Sequence, residues 1–234
     1  MFNDFLQGSS LWTPIWLTLR LAALTSLGLL IVGTPLAWWL ARTRSRLKTP
    51  IEAIVALPLV LPPTVLGFYL LIALSPQGAI GAPWLALTGS TLAFSFSGLV
   101  IGSMLYSLPF VVQPLQNAFE GVHTSLLDAA SLLGAPPARR FFSIVAPLSV
   151  RGFITALTLG FAHTVGEFGV VLMIGGNIPG QTRVLSIAIY DHVESLEYGH
   201  ANVLSIGLLV FSFLILSLIY SLNRRWRIVP TANR

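Results

Sequence analysis

Long apolar stretches separated by short polar connections dominate the pattern of this chain. Five of them match or exceed the ~20 residues that an α-helix needs to cross a bilayer. They cover residues 14–41, 51–74, 91–112, 146–175 and 201–222. The connections are too short to form a second folded unit, and no internal repeat is visible. The pattern therefore predicts a single all-α domain over residues 14–222, a polytopic membrane protein with about five transmembrane helices.

The composition supports a membrane protein and limits the possible chemistry. Of the 234 residues, 55% are hydrophobic and only 9% are charged, whereas soluble proteins have about 25% charged residues. The net charge of +5 comes from basic residues at the ends of apolar stretches. We therefore expect lipid around the protein and no nucleic acid partner. The chain has no cysteine, which excludes disulfides and thiol catalysis.

The basic residues of the short loops predict the orientation in the membrane, because they stay in the cytoplasm. On the other side, Arg183 is the only such residue, and it lies near Asp191, Glu194 and Glu197. We therefore expect the N-terminus in the periplasm, and both the C-terminus and the loop 115–146 in the cytoplasm. The ten residues on the cytoplasmic side are Arg42, Arg44, Arg46, Lys48, Arg139, Arg140, Arg224, Arg225, Arg227 and Arg234.

The second apolar stretch contains Pro58, Pro62 and Pro63. Proline removes a helical hydrogen bond and kinks the chain, and lipid tolerates this only where protein or water satisfies the freed groups. Two interpretations remain open. The stretch is either a kinked structural helix or a broken helix that lines a transport pathway.

The cytoplasmic loop has the signals of a short helix. Ser125 and Asp128 form a possible capping box, and Gly134 stands where a left-handed residue would end the helix. One face is apolar but small, with Leu126, Ala129, Ala130 and Leu133 at helical spacing. Such a face could lie on lipid headgroups. Its central alanines suit a protein groove better.

The spacing of this loop resembles the EAA loop of bacterial ABC importer permeases. The matching positions are Asp128-Ala129-Ala130, Gly134, Ile144 and Ala146-Pro147, with Asp and Ala in place of the usual Glu and Leu. The resemblance implies the type I ABC importer permease fold and a coupling helix in the loop 115–146. The ATPase-coupling residues that it implies are Glu120, Gly121, Asp128, Ala129, Ala130, Gly134, Ala135, Arg139 and Pro147.

Three further stretches, at 57–67, 166–169 and 177–183, are similar to the molybdate permeases of this family. Sulfate and tungstate permeases share parts of them, so those anions remain alternatives. The resemblance implies a pair of identical permease chains, a cytoplasmic ATPase subunit that binds the ATP, and a periplasmic molybdate-binding protein. It implies that this chain binds no cofactor or metal of its own and that it lies in the bacterial inner membrane.

Glu167 and His163 are ionisable residues within the fourth stretch. A carboxylate at this depth costs about 2.5–3.5 kcal/mol on insertion scales unless it has a partner. A substrate site is one interpretation, but Glu167 would repel an anion. We favour a structural role, in which Glu167 pairs with His163 or binds backbone groups freed at Gly166 and Gly169.

The motifs of nucleotide-binding and hydrolytic enzymes are missing from the sequence. Lys48-Thr49 follows leucine instead of the glycine of a phosphate-binding loop. We therefore expect no ATPase activity from this chain alone. A self-contained secondary transporter is the less favoured alternative, because such proteins usually have internal repeats and several intramembrane ionisable groups. A small membrane enzyme is less favoured still.

The orientation is testable with reporter fusions after Asn233. A reporter active in the cytoplasm should work there, because ten of the eleven loop and tail basic residues are assigned to that side. Activity of a periplasmic reporter alone at this position would contradict the predicted topology.

Overall fold

A computed structural model describes residues 12–225, and these residues are helical with no β-strand, which confirms the all-α prediction. The side chains of Arg224 and Arg225, and all of Arg227 and Arg234, lie outside what the structure describes. The elements are α1 (Trp12–Arg42), α2 (Lys48–Val60), α3 (Pro63–Leu74), α4 (Gly81–Thr88), α5 (Phe96–Glu120), α6 (Thr124–Leu132), α7 (Pro137–Arg140), a π-helical turn (Phe141–Val145), α8 (Ala146–Leu148), α9 (Val150–Gly166), α10 (Gly169–Gly175), α11 (Leu185–Glu194) and α12 (Tyr198–Arg225).

Three helices within residues 12–225 are long and apolar enough to cross a membrane: α1, α5 and α12 over Tyr198–Ser217. Two bent pairs pass the same test together, so the number reaches five if each pair forms one span. One pair is α2 with α3, and the other joins Pro137–Leu148 to α9. The five predicted spans agree with the upper number, and α1 and α12 agree closely with the predicted first and fifth spans.

The second predicted span is broken at its prolines. The direction of the chain bends by 115° between α2 and α3. Leu61 and Pro62 between them have extended backbone, with ψ of 136° at both residues. Pro63 then starts α3, where its missing N–H removes no helical hydrogen bond. The segment 51–74 is therefore a broken helix, one of the two forms that its prolines left open.

The third and fourth predicted spans have different bounds in the structure. Helix α5 begins at Phe96 because the Ser95 hydroxyl caps it, accepting a hydrogen bond from the Gly98 amide at 3.1 Å. It continues to Glu120, through Pro109 and Pro114, into the predicted cytoplasmic loop. The fourth stretch divides into α8, α9 and α10, with a 74° bend before α9.

The centre of the fold is the packing of α1, α5 and α9 against each other. One buried cluster lies towards the loop end of these helices and includes Leu40, Val112 and Phe119. A second cluster joins α1 and α5 to α3, α10 and α11 and includes Leu99 and Ile174. Helix α12 packs on α11 and α9 at the edge of the protein.

Two glycines allow α3 and α10 to approach closely. A Cβ atom on Gly67 of α3 would lie 2.7 Å from Met173 Cβ of α10. A Cβ on Gly169, at the start of α10, would lie 2.7 Å from Pro63 Cβ, at the start of α3. Both distances are shorter than any ordinary contact, so only glycine fits at either position. As a result, the break before α3 and the break before α10 lie side by side.

We expect Gly67→Leu to destabilise the protein, because the new side chain would push α3 away from Met173. Overpacking of this kind costs about 1–3 kcal/mol. Gly207→Leu in α12 is the matched control, since a Cβ there has no atom within 4 Å. The midpoint of thermal unfolding in detergent should fall for Gly67→Leu and change little for Gly207→Leu. Equal midpoints in the two variants would contradict the packing role of Gly67.

Candidate functional site

The predicted coupling helix forms and projects from the protein. Helix α6 has no buried residue. Just beyond Ala129 and Ala130, the side chains of Leu132 and Leu133 are 90% and 88% exposed. Leu127 and Ala130 are partly buried, and Leu127 packs back onto the core around Phe119. The small apolar face is therefore available to another protein.

The start and the end of α6 differ in how well the sequence predicts them. The capping box of Ser125 and Asp128 is wrong, because the helix begins at Thr124 after His123 and has no side-chain cap. The end agrees with the prediction. Gly134 is left-handed, with φ of 78°, and donates to Ser131 O at 2.9 Å, while the Ala135 amide donates to Ala130 O at 3.0 Å. This is a Schellman ending.

The other residues predicted to couple to the ATPase lie outside α6 and differ in their contacts and exposure. Glu120 ends α5 and forms an ion pair with Lys48 at 3.3 Å, which ties α5 to the start of α2. Gly121 follows it with an ordinary φ of −68°. Arg139 in α7 and Pro147 in α8 are exposed. Of these residues, Glu120 is held by an intramolecular ion pair.

Asp128 lines a groove of about 300 Å³ between α6 and the end of α1. Trp38, Arg42 and Arg140 contribute to the same groove. Arg140 also donates a hydrogen bond to the Ser131 hydroxyl. This hydrogen bond joins the end of α7 to α6. Helices α6 and α7 therefore form a folded hairpin, the coupling hairpin, over residues 124–140.

Arg42, which the sequence presents only as a topology signal, anchors the hairpin to the membrane domain. Its guanidinium donates to Phe119 O and to Val122 O, both at 2.9 Å. These carbonyls lie at and just after the end of α5, where the regular helical hydrogen bonds stop. Phe119 O also accepts a hydrogen bond from the Val122 amide at 3.2 Å. The same guanidinium lies over the Trp38 ring at 5.0 Å. One side chain of α1 thus fixes the point where the chain leaves α5 for the coupling hairpin.

An aromatic cluster extends this anchor into the core. Phe119 is fully buried, and its ring is 5.7 Å from Trp38, 5.8 Å from Phe141 and 5.7 Å from Phe153. The rings meet edge to face, a favoured geometry for aromatic pairs. They connect α1, α5, the π-helical turn and α9. The pattern along the chain could not show which helices these aromatic residues join.

His163 does not pair with Glu167 in the structure. Its Nδ1 lies 2.9 Å from Ser107 Oγ, which in turn lies 3.1 Å from Thr164 Oγ1. The imidazole stacks on Phe110, with 4.0 Å between the ring centroids. This side chain therefore joins α9 to α5 through hydroxyl and ring contacts.

Glu167 lies in the extended break between α9 and α10. It is only 4% exposed, and its carbonyl oxygen accepts a hydrogen bond from Ser186 Oγ at 2.6 Å. Its two carboxylate oxygens have no hydrogen-bond partner among the described residues, so neither predicted pairing of the side chain is formed. The backbone of Glu167 thus joins the break to α11. A structural role for its side chain stays a prediction.

The comparisons with known proteins agree with this arrangement. Residues 33–228 match the model of the binding-protein-dependent transport system inner membrane component family. The chain belongs to this family. The predicted resemblance to importer permeases is thereby confirmed.

Several relatives are also similar over most of their length. The molybdenum transport system permease protein ModB of Azotobacter vinelandii is 62% identical over 210 residues, which cover 90% of this chain and 93% of the relative. ModB of Escherichia coli (strain K12) is 38% identical over 208 residues, or 87% and 91% of the two chains. The sulfate transport system permease protein CysT of Synechocystis is 34% identical over 196 residues, or 84% and 68%.

Two solved structures share the fold of the chain. A bacterial ABC transporter that imports alginate has a TM-score of 0.77 at 19% identity, covering 97% of this chain and 83% of that one. The MetNI methionine ABC transporter has a TM-score of 0.69 at 19% identity, covering 92% and 95%. The type I importer permease fold predicted from the loop motif is therefore confirmed.

We expect Arg42→Ala to loosen the coupling hairpin, because two carbonyls at the end of α5 lose the hydrogen bonds from the guanidinium. Hydrogen bonds from charged groups contribute about 1.5–3 kcal/mol. Amide hydrogen exchange in residues 122–135 should therefore become faster. Arg44→Ala is the matched control, since Arg44 is exposed in the same loop. Unchanged exchange in Arg42→Ala would contradict the anchoring role.

Proposed function

We propose that this chain is the permease subunit of an importer that carries molybdate across the inner membrane, driven by a separate ATPase. The observation that carries the proposal is the folded, exposed coupling hairpin on a chain 62% identical to a molybdenum permease. A second copy of the chain, the ATPase subunit and a periplasmic molybdate-binding protein complete the proposed complex. ATP binds to the ATPase subunit and not to this chain.

The relatives support molybdate over sulfate. Identity to the two molybdenum permeases is 62% and 38%, against 34% for the sulfate permease. Tungstate forms a tetrahedral dianion like that of molybdate, so a pathway of neutral donors has little means to separate the two. We assign the choice of anion mainly to the binding protein, which can surround the anion completely. Sulfate remains the second candidate substrate.

The exposed coupling hairpin supports an external source of energy. Leu132 and Leu133 expose nearly all of their side chains beside the small alanine face. Apolar surface of this kind is favourable to bury in a protein partner. A self-contained secondary transporter would have no need of such a surface. The hairpin is therefore the proposed docking point of the ATPase, on the cytoplasmic side with the C-terminus.

The breaks support a pathway between two copies of the chain. Residues on both sides of the first break are exposed, including Val60 at 82%, Pro63 and Thr64. A dianion cannot cross hydrocarbon without polar partners. Irregular backbone within a membrane is tolerated where it borders protein or a water-filled cavity. We therefore place the interface of the two copies, and the anion pathway, along α2 and α3.

The substrate assignment is tested by metal uptake in a strain that lacks this protein. Molybdenum accumulation at nanomolar supply should be lost and should return when the intact gene is supplied. Sulfate uptake should be unchanged, which also controls for general membrane damage. Normal molybdenum accumulation together with loss of sulfate uptake would replace the molybdate assignment with the sulfate one.

The docking assignment is tested by Leu132→Glu. A fully buried leucine contributes about 1.5–3 kcal/mol, so the amount of ATPase that co-purifies should fall about tenfold or more. Leu87→Glu is the matched control, because Leu87 is 85% exposed in α4, far from the hairpin in sequence and on the predicted periplasmic side. Full recovery of the ATPase with Leu132→Glu, or equal losses in both variants, would contradict docking at α6.

A further inference from the structure

Three metal-ligating side chains converge where α11 connects to α12. His192 lies near the end of α11, Glu197 lies in the connection, and His200 lies in the first turn of α12. Glu197 Oε2 is 2.8 Å from His192 Nδ1 and 3.4 Å from His200 Nδ1. One candidate ligand atom of each residue lies within 4.8 Å of the other two.

The backbone holds this cluster in place. The Glu197 amide donates to His192 O at 2.8 Å and the Leu196 amide donates to Val193 O at 3.1 Å, which is a Schellman ending. Leu196 is left-handed, with φ of 61°, in the position where glycine is usual. This conformation is strained for a residue that carries a side chain. The turn that requires it is the one that places Glu197 beside His192.

The start of α12 adds the third side chain. The Glu197 carbonyl accepts hydrogen bonds from the amides of His200 at 3.1 Å and Ala201 at 3.2 Å. His200 therefore lies one turn after Glu197 on the same face, with its ring centroid 5.3 Å from that of His192. His192 thus lies before the turn between α11 and α12, Glu197 lies within it, and His200 lies after it.

The neighbouring acidic residues, Asp191 and Glu194, form contacts with residues outside the cluster. Asp191 accepts from Asn177 at 2.9 Å and pairs with Arg183 at 3.4 Å. Glu194 accepts a hydrogen bond from the Tyr190 hydroxyl at 2.5 Å. Glu197 is thus the carboxylate directed at the two imidazoles.

The donor set selects a class of ion. Imidazole nitrogen suits zinc, copper and nickel, whereas Mg²⁺ and Ca²⁺ prefer oxygen ligands. Two histidines and one carboxylate form a known zinc donor set that leaves a fourth position for water. The side chains of His192, Glu197 and His200 are 26%, 52% and 51% exposed, so solvent can reach that position.

We propose that His192, Glu197 and His200 form a site for a divalent transition-metal ion of the zinc type, on the predicted periplasmic side. The bound ion would clip the end of α11 to the start of α12. It is distinct from the transported anion in charge and in chemistry. A failed test of the molybdate assignment would therefore leave the proposed metal site unaffected.

Zinc binding to the complete complex, purified with an affinity tag that contains no histidine, tests this proposal. After treatment with a chelator and re-equilibration with Zn²⁺, the wild type should hold one zinc per permease chain above the level of a triple variant. That variant combines His192→Ala, Glu197→Gln and His200→Ala. Each single change should weaken this binding about tenfold or more.

His123→Ala is the matched control, because His123 is an exposed histidine at the coupling hairpin. This variant should bind zinc as the wild type does. A zinc-dependent rise in the unfolding midpoint, present in wild type and His123→Ala and absent in His192→Ala and His200→Ala, provides a second measurement. Equal zinc content in wild type and the triple variant would overturn the proposal. So would loss of binding in His123→Ala alone.

Discussion

A helix that breaks inside a membrane must satisfy its backbone without help from lipid, and this constraint shapes the fold. Two of the breaks among the described residues lie at Leu61-Pro62 and at Glu167-Phe168. At the second break, Ser186 donates to the carbonyl of Glu167. The first break exposes proline, which has no N–H to satisfy. The close approach of Gly169 to Pro63 then places the two breaks next to each other.

Helix α5 connects these breaks to the coupling hairpin. Its first half packs on α10 through Leu99 and Ile174, which belong to one buried cluster. Its last residues receive the hydrogen bonds of Arg42 and carry Phe119, the centre of the aromatic cluster. A shift of the hairpin therefore acts on a helix that reaches the proposed pathway. This is the physical basis on which an ATPase at α6 could drive movement near α3 and α10.

Hydrophobicity and local signals in the sequence predict much of this arrangement, but not the long-range contacts. The positions of α1 and α12 follow from uninterrupted apolar stretches, and the left-handed Gly134 follows from its place after a short helix. The end of α5 could not be predicted, because Pro109 and Pro114 are tolerated within it. Arg42 looked like one of several loop charges. Its role depends on carbonyls 77 and 80 residues away.

The contacts of polar residues in the membrane domain also could not be predicted from the sequence. His163 and Glu167 are four residues apart, which made their pairing reasonable on a helix. The helix ends at Gly166, so Glu167 turns away and His163 contacts Ser107 of α5 instead. A spacing of four residues predicts a contact only on a continuous helix, and this helix ends at Gly166.

Site-specific cross-linking tests the central claim, that α6 is where the ATPase docks. The chain has no cysteine, so Leu132→Cys provides a single thiol on the hairpin. In membranes that contain the complete complex, a short thiol-directed photo-cross-linker at this position should give a product of permease and ATPase subunit. The same reagent at Leu87→Cys should give none. A permease–ATPase product from position 87, or its absence at position 132 while the complex is intact, would contradict the account.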